Sequence, residues 1–246
     1  MMLALAVAVV WSQEQKKVEP AFQPEFFMRE LVTGPSLLEN ARHDFIYRKT
    51  TEVGQDDRGN VIPQSHITKR LGWCVYSVTP GTLAGEPVRV IRWFYSNGQE
   101  DLEHRFYVTE SGDLLRQVSQ SARPVQKMAL VTVTPEGLQC QVSEPSGRRS
   151  FELVLKNLDE VVGAFRPLGE GTKTAAIFDP FRNAVKTFTI RKASFWTDSW
   201  SGRTYRGEAY DLNESRLYLT DAGKPFRRDI GEFTALEPDV ELLRSK

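Results

Sequence analysis

The sequence predicts a mainly β protein, in which a strongly curved antiparallel sheet forms an unclosed barrel or two half-barrels, with a short helix near residues 158–166. Three observations lead to this fold class. Strand-like runs follow one another at short intervals, separated by turns that contain Pro and Gly. Residues 106–116 and 217–227 have nearly the same sequence, with Tyr, Thr, Gly and Arg in step. Several strands are apolar on both faces, so both faces need a cover.

The first twelve residues resemble a secretory signal peptide. Residues 1–10 are apolar, uncharged and too few to span a bilayer, and the small residues Val10 and Ser12 fit a cleavage site after Ser12. We therefore expect a periplasmic or secreted protein in which residues 13–35 form a solvated leader. A buried N-terminal strand is the alternative, and the missing basic residue before the apolar run leaves open a truncated start.

Charge and length limit the partners and the domain count. Lys plus Arg number 32 and Asp plus Glu also number 32, so no summed positive field exists to hold a nucleic acid. The length of 246 residues allows one large or two small β domains. We expect two β-rich halves, residues 36–128 and 129–246, that pack as one domain.

The strands are predicted from alternation and from the turns that bound them. In the first half, Ser36 and Glu39 form a capping-box pattern that predicts a short helix leading into a strand near residues 45–49. Further strands are predicted at residues 67–79, 87–95, 104–109, 114–119, 128–134, 138–142, 151–155, 174–178, 184–196, 203–212, 216–220 and 226–233.

The helix near residues 158–166 has the clearest local signal. Asn157 is a suitable N-cap, Glu160 follows three residues later, and apolar residues recur at helical spacing from Leu158 to Phe165. Pro167 ends the pattern. The apolar stripe must face a sheet if it is to be buried.

The two similar segments predict the same strand, turn and returning strand in each half. With a period of two, Phe106 and Val108 point the same way as Leu217 and Leu219. The Tyr and Thr of each segment then share the opposite face.

Catalytic and metal motifs are absent from the sequence. His43, His66 and His104 lack metal-ligand spacing, and we expect each at the surface or in a turn. Cys140 lies within a strand pattern, where no helix N-terminus would activate its thiol. Cys74 and Cys140 could form a disulfide or remain buried thiols. We therefore expect no catalytic residue, no metal and no cofactor, and a protein that is not an enzyme.

The second half resembles two families in four segments: Leu130 to Leu138 (LVTVTPEGL), Phe178 to Phe181 (FDPF), Phe188 to Ile190 (FTI) and Tyr218 to Gly223 (YLTDAG). It is similar to the β-rich region upstream of the catalytic core in some bacterial transglutaminase-like proteins, and to the unclosed β-barrel of periplasmic lipoprotein carriers. The transglutaminase Cys-His-Asp triad has no counterpart here, so catalysis is not implied. The likeness to carriers implies a curved sheet around a helix, with a hydrophobic cavity for acyl chains.

These observations predict an exported, non-enzymatic module that binds a lipid or a lipoprotein acyl chain in an apolar cavity. Its partners would be the hydrophobic ligand or lipoprotein, with contact to a membrane surface or an envelope protein. The alternatives are a structural or interaction protein of the envelope with a filled core, and a hydrolase with an unrecognised site. The expected cavity lining is Val90, Phe94, Leu130, Phe151, Leu153, Val162, Phe165, Phe188 and Trp196.

Overall fold

The computed structural model describes residues 29–49, 54–55, 61–62, 67–200, 203–213, 215–230 and 233–236. The expected signal peptide and residues 13–28 of the expected leader lie outside these ranges. The elements are α1 (Glu30–Thr33), β1 (Leu38–Lys49), β2 (Gly54–Gln55), β3 (Val61–Ile62), β4 (Ile67–Leu83), β5 (Glu86–Ser96), β6 (Asp101–Val108), β7 (Leu114–Arg123), β8 (Lys127–Thr134), β9 (Gly137–Glu144), β10 (Gly147–Leu153), α2 (Leu158–Val162), β11 (Thr172–Asp179), β12 (Ala184–Trp200), β13 (Arg203–Leu212), β14 (Ser215–Thr220), β15 (Pro225–Ile230) and β16 (Phe233–Leu236).

Among the described residues, fourteen of these strands form one antiparallel sheet in the order β10-β9-β8-β7-β6-β5-β4-β1-β16-β15-β14-β13-β12-β11. The short strands β2 and β3 pair separately. The end strands β10 and β11 are not paired with each other, so the sheet stays open. The prediction of a mainly β, antiparallel, unclosed architecture is confirmed.

Two meanders make up the large sheet. The first runs from β4 to β10 and the second from β11 to β16, and β1 lies between β4 and β16. Residues 154–171 connect the meanders. The expected boundary between residues 128 and 129 falls inside β8, whose partner strands β7 and β9 both belong to the first meander.

The sheet bends until its second meander covers its first. The amide of Gln117 on β7 donates to the carbonyl of Phe178 on the edge strand β11, although nine strands lie between β7 and β11 in the sheet order. Each meander therefore has an inner face, which points to the other, and an outer face. One cluster of buried side chains joins both inner faces.

Two short helical segments fill the space between the inner faces. One is α1, and the other is α2 with the 3₁₀ turn Gly163–Phe165 that continues it. We call these two segments the plug. Leu31, Val161, Ala164 and Phe165 of the plug are fully buried. The helix expected near residues 158–166 is thus confirmed, although the Asn157 side chain donates to the Glu160 carboxylate and not to the helix backbone.

Two expectations for the N-terminal part are wrong. Residues 38–49 form strand β1 and not a helix, because pairing with both β4 and β16 outweighs the two-residue capping signal of Ser36 and Glu39. Residues 29–35 are not a solvated leader, since α1 buries Glu30 and Leu31 completely.

Candidate functional site

Burial alternates along β5 and shows how the inner and outer faces of the sheet differ. Ile91, Trp93 and Tyr95 are fully buried on the inner face, whereas Val90 and Phe94 lie on the outer face and are half-buried. Phe94 contacts the ring of Trp73 there, with centroids 5.1 Å apart. Both faces of this strand are apolar, as the sequence indicated.

The structure divides the nine predicted lining residues between the two faces. Phe165 and Phe188 are fully buried inside, and Phe151 and Leu153 on β10 pack against the same core. Val162 is half-buried on α2.

Val90, Phe94, Leu130 and Trp196 lie outside. Leu130 alternates with the buried Ala129 and Val131. Trp196 stacks on Phe226 with centroids 4.6 Å apart, on the outer face of the second meander. The nine residues therefore do not line one common cavity.

A row of polar side chains crosses the inner face of the first meander. Tyr76, Trp93, His104 and Ser119 are directly paired neighbours on β4, β5, β6 and β7. The imidazole of His104 lies 5.6 Å from the Trp93 ring and nearly parallel to it. The His104 Nδ1 atom is 2.7 Å from the Ser119 hydroxyl. We call these four residues the polar row.

Gln117 extends the polar row toward the second meander. Its side chain lies one row further along β7, opposite Phe106 and Val131. Its Nε2 donates to the Ser119 hydroxyl at 2.9 Å and to the Phe178 carbonyl at 3.1 Å. These hydrogen bonds thus connect β6 and β7 of the first meander to the edge strand β11 of the second.

Two atoms of this network have no hydrogen-bond partner among the described residues. They are Nε1 of Trp93 and Oε1 of Gln117, one a donor and the other an acceptor. Both side chains are at most 1 % exposed. Buried polar atoms are nearly always paired, so two open positions beside one network mark this region as a candidate ligand site.

The environment of His104 keeps its imidazole neutral near pH 7. Burial lowers the pKa of His104 to about 4, which outweighs the opposing effect of the Asp179 carboxylate. The expectation that His104 lies at the surface or in a turn is wrong, because it sits within β6 with its side chain directed inward. The side chains of His43 and His66 lie outside the described residues.

Polar contacts hold the plug against the sheet. The Lys173 ammonium on β11 donates to the carbonyls of Leu31 at 3.0 Å, Ala164 at 2.7 Å and Arg166. One side chain therefore fastens both parts of the plug. Burial lowers the pKa of Lys173 to about 8.

The two similar hairpins also contact the plug. The turn between β6 and β7 places Gly112 against the carbonyl of Phe165, leaving no room for a Cβ atom. The turn between β14 and β15 offers the Gly223 carbonyl to the Arg29 guanidinium beside α1. The predicted strand, turn and returning strand are thus present in both segments, and each turn adjoins one part of the plug.

A buried ion pair lies at the start of α1. The Arg29 Nε and Glu30 Oε1 atoms are 3.1 Å apart, and both side chains are almost inaccessible to water. Burial raises the pKa of Glu30 to about 7, and the adjacent Arg29 opposes this only in part. Arg29 also donates to the carbonyl of Ser36.

The cysteines are free and buried. Cys74 lies on β4 and Cys140 on β9, so four strands separate them, and the disulfide alternative is excluded. Burial raises the pKa of Cys140 to about 11, which makes its thiol a poor nucleophile at neutral pH. Among the described residues, no group of three His, Cys, Asp or Glu side chains could hold a metal ion.

Comparisons with known proteins add no relative. No protein-family model, no curated protein and no solved structure matches the chain. The resemblance to lipoprotein carriers therefore stays a prediction. No helix within the described ranges is both long and apolar enough to cross a membrane.

The sequence alone did not reveal the polar row, because its four residues lie on four different strands. A signal did exist: Trp93 shares one alternation phase with Ile91 and Tyr95, and His104 shares one with Phe106. Placing both on the buried face would have put an imidazole inside. The register that makes them neighbours is not encoded in that alternation.

Proposed function

We propose that the protein binds an extended apolar molecule, such as the acyl chain of a lipid or lipoprotein, inside the curved sheet in place of the plug. One observation carries this proposal. The interior between the two meanders is filled by two short helical segments from connecting regions, which polar contacts such as those of Lys173 fasten to the sheet. Either segment can leave without breaking a strand pairing.

The free energy lost when the plug leaves the interior is similar to the free energy gained when an acyl chain is buried there. Burying a Leu, Val or Phe side chain stabilises by about 1.5–3 kcal/mol, and each buried CH₂ group by about 0.8 kcal/mol. A chain of about ten methylenes would offset the loss of Leu31, Val161 and Phe165 from the interior. The apolar inner face offers such a chain a surface of the same character.

The proposed setting is the periplasm or the outside of the cell. It is supported by the apolar first ten residues of the chain. A carrier there would take its ligand from a lipid or lipoprotein, and would meet a membrane surface or an envelope protein to do so.

The experiment measures binding of an uncharged fluorescent acyl probe, a fatty-acid methyl ester, to delipidated protein. We expect saturable binding, and binding about tenfold tighter in Lys173→Met, because loosening the plug raises the population of the open state. Lys192→Met is the matched control, since Lys192 is exposed on β12 and pairs with Glu208. Absence of saturable binding in the wild type and in Lys173→Met would rule the function out.

The filled core supports a second candidate, an interaction protein of the cell envelope. Among the described residues, one continuous cluster already joins both meanders and the plug. The outer faces carry open grooves, one of them about 820 Å³ and lined by Arg191, Asp211, Arg216, Tyr218 and Asp229 among others. Native mass spectrometry separates the candidates, because a carrier purified from its own envelope retains a lipid mass and an interaction protein does not.

A further inference from the structure

The polar row and Gln117 lie on the surface that the proposed ligand would occupy. Phe106, which pairs with Gln117 in the sheet, contacts the Phe165 ring of the plug with centroids 5.0 Å apart. A ligand that replaces Phe165 would therefore meet Phe106 first and the polar network next. An acyl chain alone would leave that network unsatisfied.

We infer that this network binds the polar end of the ligand, and that this end is an uncharged group able both to accept and to donate a hydrogen bond, such as a hydroxyl or an amide. The inference rests on the proposed function. Trp93 Nε1 donates to the group, and Gln117 Oε1 accepts from it. These are the two atoms of the network without a partner among the described residues.

The chemistry of the surroundings selects an uncharged group. Trp93, His104, Gln117 and Ser119 are all buried, and none carries a formal charge at neutral pH. An anion or ammonium placed there would lose its hydration without a matching charge among these four residues, which is costly. Arg228, a buried cation on the inner face, lies toward Tyr76 at the β4 end of the row.

The test uses three competitors with a ten-carbon chain that displace the fluorescent methyl ester: decan-1-ol, decyl methyl ether and, at pH 8, decanoate. We expect decan-1-ol to bind about fivefold more tightly than the ether, which cannot donate, and at least about tenfold more tightly than decanoate. Trp93→Phe should weaken decan-1-ol binding about fivefold. Trp73→Phe, on the outer face of the neighbouring strand, should leave it unchanged.

A spectroscopic readout follows Trp93 in the intact wild-type protein. Its indole N–H resonance, identified by its loss in Trp93→Phe or by selective labelling, should move on addition of decan-1-ol and stay in place on addition of decane. This readout does not depend on the stability of any variant. A resonance that responds equally to both compounds would overturn the inference.

The remaining outcomes separate the inference from the function beneath it. Equal displacement by the alcohol and the ether, with equal effects of the two Trp variants, would overturn the inference and leave acyl binding intact. Preferred binding of decanoate would overturn the uncharged assignment. Failure of the fluorescent methyl ester itself to bind would remove the proposed function, and the inference with it.

Discussion

The two similar hairpins, β6–β7 and β14–β15, share their backbone in detail. In each, the Thr amide donates to the carbonyl four residues later, and the Gly amide donates back to the Thr carbonyl. The hydroxyls of Thr109 and Thr220 each accept from the amide four residues on. Each hairpin shifts register just after its Tyr, Tyr107 or Tyr218. The recurring residues therefore specify one turn geometry twice.

The residue after the shared Arg is where the hairpins differ. Gln117 in the first and Arg228 in the second occupy equivalent buried positions on the inner face. Gln117 donates to Ser119, whereas Arg228 donates to Ser215 at 2.5 Å. Burial lowers the pKa of Arg228 to about 9. The scaffold is repeated while the interior chemistry is not, so each half offers the interior a different polar group.

The largest expected difference between the hairpins is at their turn glycines. Both have positive φ, so either Gly→Ala change costs about 1–2 kcal/mol in backbone strain. At Gly112 a Cβ would also lie 2.1 Å from the Phe165 carbonyl, whereas at Gly223 no atom lies within 4 Å. We expect Gly112→Ala to lower the free energy of unfolding by about 2–5 kcal/mol in total. Urea titration measures the free energy of unfolding of both variants. Equal losses in Gly112→Ala and Gly223→Ala would contradict a close contact between Gly112 and the plug.

Two buried titratable groups should give opposite pH dependences. Glu30 adjoins the second hairpin through Arg29, and its raised pKa means that stability falls as pH rises from about 4.5 to about 7. His104 belongs to the first hairpin, and its lowered pKa means that stability rises with pH from about 4 to about 6.5. The two effects have opposite signs over overlapping pH ranges, so each offsets part of the other in the wild type.

Replacing either group should reveal the other. We expect Glu30→Gln to show stability that rises between pH 5 and 7, and His104→Asn to show stability that falls over the same range. Urea titrations at several pH values measure both. Curves that run parallel to the wild type would show that these groups titrate as exposed residues do.

The serines that support the two buried polar groups give a smaller contrast. Ser215→Ala removes a hydrogen bond to a charged guanidinium, and we expect a loss of about 2–3 kcal/mol in the free energy of unfolding. Ser119→Ala removes bonds to a neutral amide and imidazole, and we expect about 1–2 kcal/mol. Ser150→Ala, at an exposed site on β10, is the control. A larger loss at Ser119 would reverse the order argued from charge.

The smallest effect is expected on the outer face of the second meander. Asp211 pairs with Arg191 and Arg216 at 3.1 and 2.7 Å, but both arginines are largely exposed. Asp211→Asn should therefore cost less than about 1 kcal/mol, and less still in high salt. A loss that persists in 1 M salt would show that this face is more enclosed than its exposure indicates.

Local signals were sufficient to predict most strands, since residues such as Gly98, Gly112 and Gly137 mark the turns between them. They failed where distant pairing decides the structure. Ser36 and Glu39 suggest a helix, but β1 is held between β4 and β16. The predicted lining residues fell on both faces for a related reason: Val90 and Trp93 are both apolar residues of β5, and alternation places them on opposite faces without telling which face is inside.

The placement of β1 has a consequence for the order of assembly. This strand is the earliest in the large sheet, yet Tyr47 pairs with Phe233 in the last. Among the described residues, strand pairing joins the two meanders through β1, which pairs with β4 and with β16, so this pairing cannot be completed until the ribosome has delivered β16. We therefore expect slow folding, limited by closure of a very long loop. A chain whose sheet is completed this late stays unfolded for longer than a chain that folds from its N-terminal end. For that time it can still pass through a narrow translocation pore.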